Sequence, residues 1–337
     1  MPTATFRQRL PARADRRSCP TAAESPIFSF SIHSGQKEMT AEHEHWISAL
    51  DYTALGDRLK AYRIGASLQA EDIAAQLGVS RAVVYRMEKG EIVKIETLER
   101  LAHVLGTSLA SLLGVEAEYY PTALGLFERM RQLESASDRI LAHFEPISLL
   151  LTSDAYLRHL RAMLHEGAPR AGKGTQAADI EAMLLILAER RAFFEKRKPH
   201  IISLIGLREL ERFVHTGLVG RVDLPEDIRS ARVQAARHEV LRIAELMESE
   251  PLHVQIGLVD DAMPSSTFQV LSGPQHSVLA TSPFRLGELP NVRNGIATVT
   301  AAPEAVRMHS DLMIRLWKTA YKGKSGAQRL RKLVERI

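Results

Sequence analysis

Between residues 51 and 114 short apolar-periodic runs are punctuated by glycine, which restricts the segment to a chain of short helices. The first run places Leu55, Leu59 and Tyr62 on one face. The second begins near Ala70, carries Ile73, Ala74 and Leu77, and stops at Gly78, where a left-handed cap calls for glycine. Ser80 then stands where an N-cap oxygen accepts from an orphan amide, and the third helix it starts ends at Gly90. A fourth holds Leu98, Leu101, Ala102 and Leu105 and stops at Gly106. Ser108 caps a fifth, with Leu109, Leu112 and Leu113. Residues 51–114 are therefore expected to form an all-α domain of five helices.

The third of these, in GVSRAVVYRMEKG (residues 78–90), has two unlike sides. Val84 and Met87 supply the packing side, while Arg81, Ala82, Tyr85 and Arg86 share another. Two helices joined by a tight turn, the second exposing polar groups near its start, make a helix-turn-helix. The major groove admits one α-helix, and the first turn of that helix meets the base edges. Arg81 sits there, with a planar fork of donors that matches guanine O6 and N7. The Ala82 methyl suits close approach to a thymine methyl. Tyr85 suits a phosphate or sugar, and Arg86, five residues beyond Arg81, a base or a phosphate.

Residues 55–114 resemble the phage-repressor-like, or XRE, helix-turn-helix family. The residues that carry the resemblance are Ile73-Ala74, Leu77-Gly78-Val79-Ser80, Arg86-Met87-Glu88-Lys89-Gly90, Thr97-Leu98, Leu101-Ala102, Leu105-Gly106 and Leu112-Leu113. The resemblance implies double-stranded DNA as partner, the third helix as base reader through Arg81, Ala82, Tyr85 and Arg86, and Ser80 as a phosphate contact. Two positions depart from it. Ala70 stands where the family places a phosphate-clamping Gln, with Gln69 one residue earlier, and Lys94 replaces the usual Ser cap of the fourth helix. Arg58, Arg63 and Lys89 are the candidates to replace the clamp, each equally readable as a solvated charge. A helix-turn-helix retained only for protein contacts is the competing reading.

Composition permits this without demanding it. Of the 337 residues, 45% are hydrophobic and 25% charged, as in ordinary globular proteins. The net charge of +4 suits an anionic partner, but residues 55–100 are close to neutral, so binding depends on placement rather than bulk charge. No run approaches the roughly 18 to 20 apolar residues of a membrane span. The single cysteine, Cys19, excludes an intrachain disulfide and a cysteine zinc site, and fits a cytoplasmic setting. Residues 1–45 lack a sustained apolar period and are expected to be unstructured and dispensable up to Met39. Their arginines invite a transit-peptide reading, set against an over-extended start. His43 and His45 are expected to be solvated rather than metal ligands.

Residues 115–165 are expected to continue as a helical connector. Leu126, Met130, Leu133, Ile140 and Phe144 recur at gaps of three, four or seven, approximating a paired-helix seam. Such a seam would make a homodimer; the alternative is packing on the chain's own core. Residues 165–176 are small and polar, and read as a loop or linker.

Residues 179–337 alternate helical stretches with β-branched runs: HIISLI, LHVQIGLV, TFQVL, SVLATS and IATVT. The expected fold there is α/β or α+β. Parts of it (LAERRAFFEKRKP, LHVQIGLV, SPFRLGE, and the PEAV helix ending near Trp317) resemble the C-terminal regions of some bacterial XRE-type regulators, which implies sensing or assembly. The strand-then-helix order also resembles phospholipase-D-like sensor domains, but the His-x-Lys of their catalytic members is absent. With no Gly-x-Ser-x-Gly elbow and no Walker pattern either, no catalysis, cofactor or metal is expected. Asp260-Asp261 reads as a solvated turn or a cation site. Arg285, Glu288 and Arg293, with Asn294, occupy a Pro- and Gly-rich loop that suits either a pocket for a small anionic effector or a tied-down surface loop. The whole reads as a sequence-specific, dimeric transcriptional regulator. An antitoxin-type protein and an enzyme with a DNA-targeting module are the competing classes.

Overall fold

A computed structural model describes residues 51–336, apart from residues 92–93, 116, 169–172 and 275. Residues 1–45 with Cys19, His43 and His45, and the centre of the expected linker, lie outside the described residues. The first five helices are α1 (Tyr52–Gly65), α2 (Ala70–Leu77), α3 (Arg81–Glu88), α4 (Ile95–Val104) and α5 (Leu109–Leu113). Their fully buried contacts include Leu59, Ile73, Val84, Leu101 and Leu112. Gly78 closes α2 at φ +71°, the left-handed region a side chain rarely adopts. Gly90 closes α3 at φ +87°, and a Cβ there would lie 2.8 Å from the Tyr52 carbonyl oxygen. Ser108 accepts from the Ser111 amide at 3.0 Å, as its position led us to expect. Ser80 has the extended backbone of an N-cap, but its side chain makes no capping bond.

Residues 115–165 are not one helix. They form β1 (Glu118–Tyr120), α6 (Ala123–Ser135), β2 (Arg139–His143), a 3-10 turn at Leu149–Leu151 and α7 (Tyr156–Glu166). The helix stops because the Ser137 hydroxyl turns back onto the Leu133 carbonyl at 2.8 Å. Ile140 then belongs to a strand and Phe144 lies beyond it. Leu126, Met130 and Leu133 are buried in the chain's own core, so the expected dimer seam does not exist.

The chain continues as α8 (Lys173–Arg197), β3 (His200–Gly206), α9 (Leu207–Thr216), α10 (Glu226–Ser249) and β4 (Val254–Val259). After it come β5 (Thr267–Ser272), β6 (Ser277–Ser282), β7 (Ala297–Thr300), α11 (Pro303–Thr319) and α12 (Gly323–Arg336). The strands make one mixed seven-stranded sheet in the order β1-β7-β6-β5-β2-β3-β4, with β2, β3 and β4 parallel and the other pairings antiparallel. The α/β region therefore begins at β1, some sixty residues before the expected boundary, because β1 and β2 pair with strands far along the chain. One sheet face shares the main core with α6, α8 and α10; on the other, α11 lays Met313 over Leu204, Phe268, Val270 and Leu279. Among the described residues no helix is long and apolar enough to cross a membrane.

The five-helix head and the sheet body form one compact unit. α1 packs on α6, and the two backbones meet where Gly65 faces Gly125: a Cβ on Gly125 would lie 3.1 Å from the Gly65 Cα. Gly125→Leu is therefore expected to overpack this crossing and cost about 1 to 3 kcal/mol of stability, read from the denaturant midpoint. The wild-type chain should unfold in a single transition. An early, separate transition of the head would show that the joint contributes little.

Candidate nucleic-acid interface

The turn between α2 and α3 is fixed by backbone bonds: the Val79 amide donates to Ala74 O at 3.0 Å, bringing α3 across α2. Val84 and Met87 then anchor α3 in the core. This anchoring turns Arg81, Ala82, Tyr85 and Arg86 outward, and all four are exposed. The arginine side chains retain 60% and 57% of their accessible surface, enough for both guanidinium groups to reach a ligand. Arg81 lies over the Tyr85 ring, 5.2 Å from its centroid, which pre-orders both groups at the start of the helix. Each arginine also has an acidic neighbour. Arg81 Nη1 is 2.7 Å from Glu71 Oε1, and Arg86 Nε is 3.5 Å from Glu91 Oε2. Exposed pairs of this kind are worth about 0 to 1 kcal/mol and yield readily to a phosphate or base. Ser80 and Lys89 are exposed at the two ends of α3.

A family model described as a helix-turn-helix domain matches residues 54–113. The five helices of residues 54–113 are thus similar to a helix-turn-helix domain, which supports DNA as a partner. No curated protein matches the chain.

The positions considered for the missing phosphate clamp behave differently. Ala70 is buried, so the family's clamp position is packed inward here. Gln69 is exposed at the N-cap of α2, where its backbone N–H donates to Asp72 Oδ2 at 2.7 Å. Arg58 is not a surface cation. It is buried and donates to the Leu112 and Leu113 carbonyls, each at 2.8 Å, satisfying the open end of α5. Arg63 is likewise structural, with Nε and Nη2 bonded to the two Glu88 oxygens at 2.5 and 3.2 Å and Nη1 to Leu68 O. Glu88 thus ties α3 to α1. Arg100 of α4 closes α2 by donating to the Leu77 carbonyl at 3.1 Å. Of the three candidates for the clamp, Lys89 alone is exposed.

In the C-terminal region Arg285, Glu288 and Arg293 occupy two separate settings. The Arg285 backbone pairs with Asn291 in both directions, at 2.9 and 3.0 Å. Glu288 is buried and accepts from Arg212 Nε of α9 at 2.7 Å. Glu145 lies 3.7 Å from both Arg212 and Arg285, so these four side chains clamp the loop to the carboxyl end of β2. Arg293 instead donates to Gly167 O at 2.8 Å and stands at the mouth of a cavity beside the head. Asp260 lies 3.5 Å from Arg329, and Asp261 accepts from the Ala262 amide. The described residues hold no group of three or more side chains suited to a metal ion.

Arg63→Ala should therefore act on the fold. It leaves Glu88 without its partner and is expected to cost about 1.5 to 3 kcal/mol of stability, read by denaturant unfolding. The DNA sequence preference of the folded protein should be unchanged; altered preference would return Arg63 to the binding surface.

Proposed function

We propose that the protein is a sequence-specific DNA-binding transcriptional regulator that acts as a homodimer in the cytoplasm, with its sheet body serving sensing or assembly. One observation carries the reading: α3 is anchored by Val84 and Met87 and presents Arg81, Ala82, Tyr85 and Arg86 to solvent on one surface. Arg81 is the base reader, with guanine as its natural match. Arg86, Ser80 and Lys89 are phosphate contacts, and Tyr85 holds Arg81 in place. The XRE resemblance implies the same roles for Arg81 and Ser80; it implies base reading for Tyr85 and Arg86, which here are given other roles because they lie further along α3 and Arg81 packs over the Tyr85 ring. A reading helix of eight residues spans only part of a groove, which favours two half-sites about one helical turn apart and hence two copies of the chain. The dimer contact lies elsewhere than α6, whose apolar face is already covered. The body is proposed to bind rather than catalyse: its Asp260 is engaged by Arg329, and it lacks a His-x-Lys pair.

Binding of single-site variants across a range of salt separates the roles. Arg81→Ala should cost about 1 to 3 kcal/mol on the preferred sequence and relax the preference at one position per half-site. Arg86→Ala should weaken all sequences alike and lower the salt slope by about one counterion. Neither should shift stability by more than about 0.5 kcal/mol. An Arg81→Ala protein with intact fold, affinity and preference would remove α3 from its role.

The acidic neighbours give an opposite test. Glu91→Gln removes the carboxylate beside Arg86, so affinity for any DNA should rise by up to about fivefold. A fall in affinity would mean that Glu91 positions Arg86 instead of competing for it.

A further inference from the structure

Beside the head, a cavity of about 220 Å³ opens between the end of α1, the start of α6, the carboxyl end of α7, the first half of α8 and the loop at Pro290–Arg293. Its walls come from both parts of the molecule. The head supplies Gly65 and Ser67; the body supplies the rest.

The lining has two chemical regions. Leu124, Met163, Leu164, Ile180, Met183 and Val292 make an apolar floor. Two methionines give that floor side chains that adapt to an occupant's shape. Two hydroxyls of the wall are already committed: Thr122 Oγ1 donates to Gly65 O at 3.0 Å, and Ser67 Oγ donates to Asp179 Oδ1 at 2.8 Å, so the Asp179 carboxylate is held on the head side of the wall. Arg293 is different: its guanidinium gives one bond to Gly167 O and has no carboxylate partner among the described residues. A guanidinium carries five donors, so it retains the fork that takes a carboxylate through two bonds.

We propose that this cavity is an effector site for a small amphipathic carboxylate, its chain on the apolar floor and its carboxylate on Arg293, and that occupancy changes the affinity of the head for DNA. The second part rests on the DNA-binding reading of α3. The coupling is mechanical. The Ser67–Asp179 bond and the Gly65–Gly125 contact join head to body along the cavity wall. An occupant that shifts this wall shifts α1, and with it the position of α3 relative to its counterpart in the dimer. A ligand moves such an equilibrium only as far as it prefers one state over the other.

Octanoate, octanol and octylamine serve as probes on the full chain without DNA, by isothermal titration and thermal unfolding. Octanoate should raise the melting temperature and bind about tenfold more tightly than octanol. Arg293→Gln should erase that difference while leaving DNA binding of the ligand-free protein unchanged. Met183→Trp, which fills the floor, should abolish binding of both probes; if it does not fold, Arg293→Gln decides alone. Equal binding of acid and alcohol, tighter binding of the amine, or octanoate binding that survives Arg293→Gln would overturn the site. In a separate arm, saturating octanoate should change the wild-type affinity for selected DNA by about fivefold or more, and that of Arg293→Gln not at all. Octanoate binding without this change would overturn the effector role. Ligand-free protein that binds no DNA would instead overturn the reading of α3, with the calorimetric arm still deciding the pocket.

Discussion

The joint between head and body turns on one buried carboxylate, Glu118 of β1. Arg129 of α6 holds it through two bonds of 2.8 Å, the Tyr120 hydroxyl donates at 2.7 Å, and Arg58 of α1 stands 3.8 Å away. Burial, reinforced by the Glu118 charge, pushes the Tyr120 hydroxyl far above its usual pKa, so it stays a donor. The same Arg58 closes α5, and Tyr120 stacks on Tyr62 of α1 with centroids 4.8 Å apart. Gln132, bonded to Arg129, reaches back to the Asp57 carbonyl. Removing one member of a buried ionic set typically costs about 3 to 5 kcal/mol, because another is left charged and unpaired. The cost would fall on the head and the body together.

A head fixed in this way differs from one on a flexible tether. α3 is aimed by the body, so in the proposed dimer whatever brings two bodies together sets the spacing of the two α3 helices. Under the proposed function it also places any change at the joint upstream of DNA binding. The cavity beside Gly65 lies at the edge of this joint, which would give the proposed occupant a lever on α3. The ion pairs of Arg81 and Arg86 with Glu71 and Glu91 act at the other end. Exposed pairs of this kind hold the arginines extended and cost little to break, as the proposed DNA contacts require.

The head was legible in the sequence because its signals are local. A glycine after each apolar run and the i, i+3, i+4 spacing of Leu98, Leu101 and Ala102 set the helices almost residue by residue. Side-chain partners at long range were not legible: Arg58 and Arg63 look like surface charges until Leu112, Leu113 and Glu88 are brought to them. Ser80 occupies the right backbone position yet does not cap, since position and hydrogen bond are separate conditions. In the body, the seven-residue step from Leu133 to Ile140 mimicked a helix across a boundary that the Ser137 hydroxyl imposes. β1 has only three residues and pairs with β7 near residue 298, a contact no local pattern announces. Helix α9 went unread although Leu210, Phe213 and Val214 carry a helical spacing, because HIISLI immediately before it reads as a strand. In the polar loop near residue 290, which the sequence offers as one setting, Arg285 and Glu288 belong to a clamp and Arg293 lines a cavity.

The most direct test is selection of bound fragments from a random double-stranded DNA pool with the purified chain. The account predicts enrichment of one short motif, repeated in inverted orientation about one helical turn apart. Recovery of an unenriched pool by protein shown to be folded would contradict it.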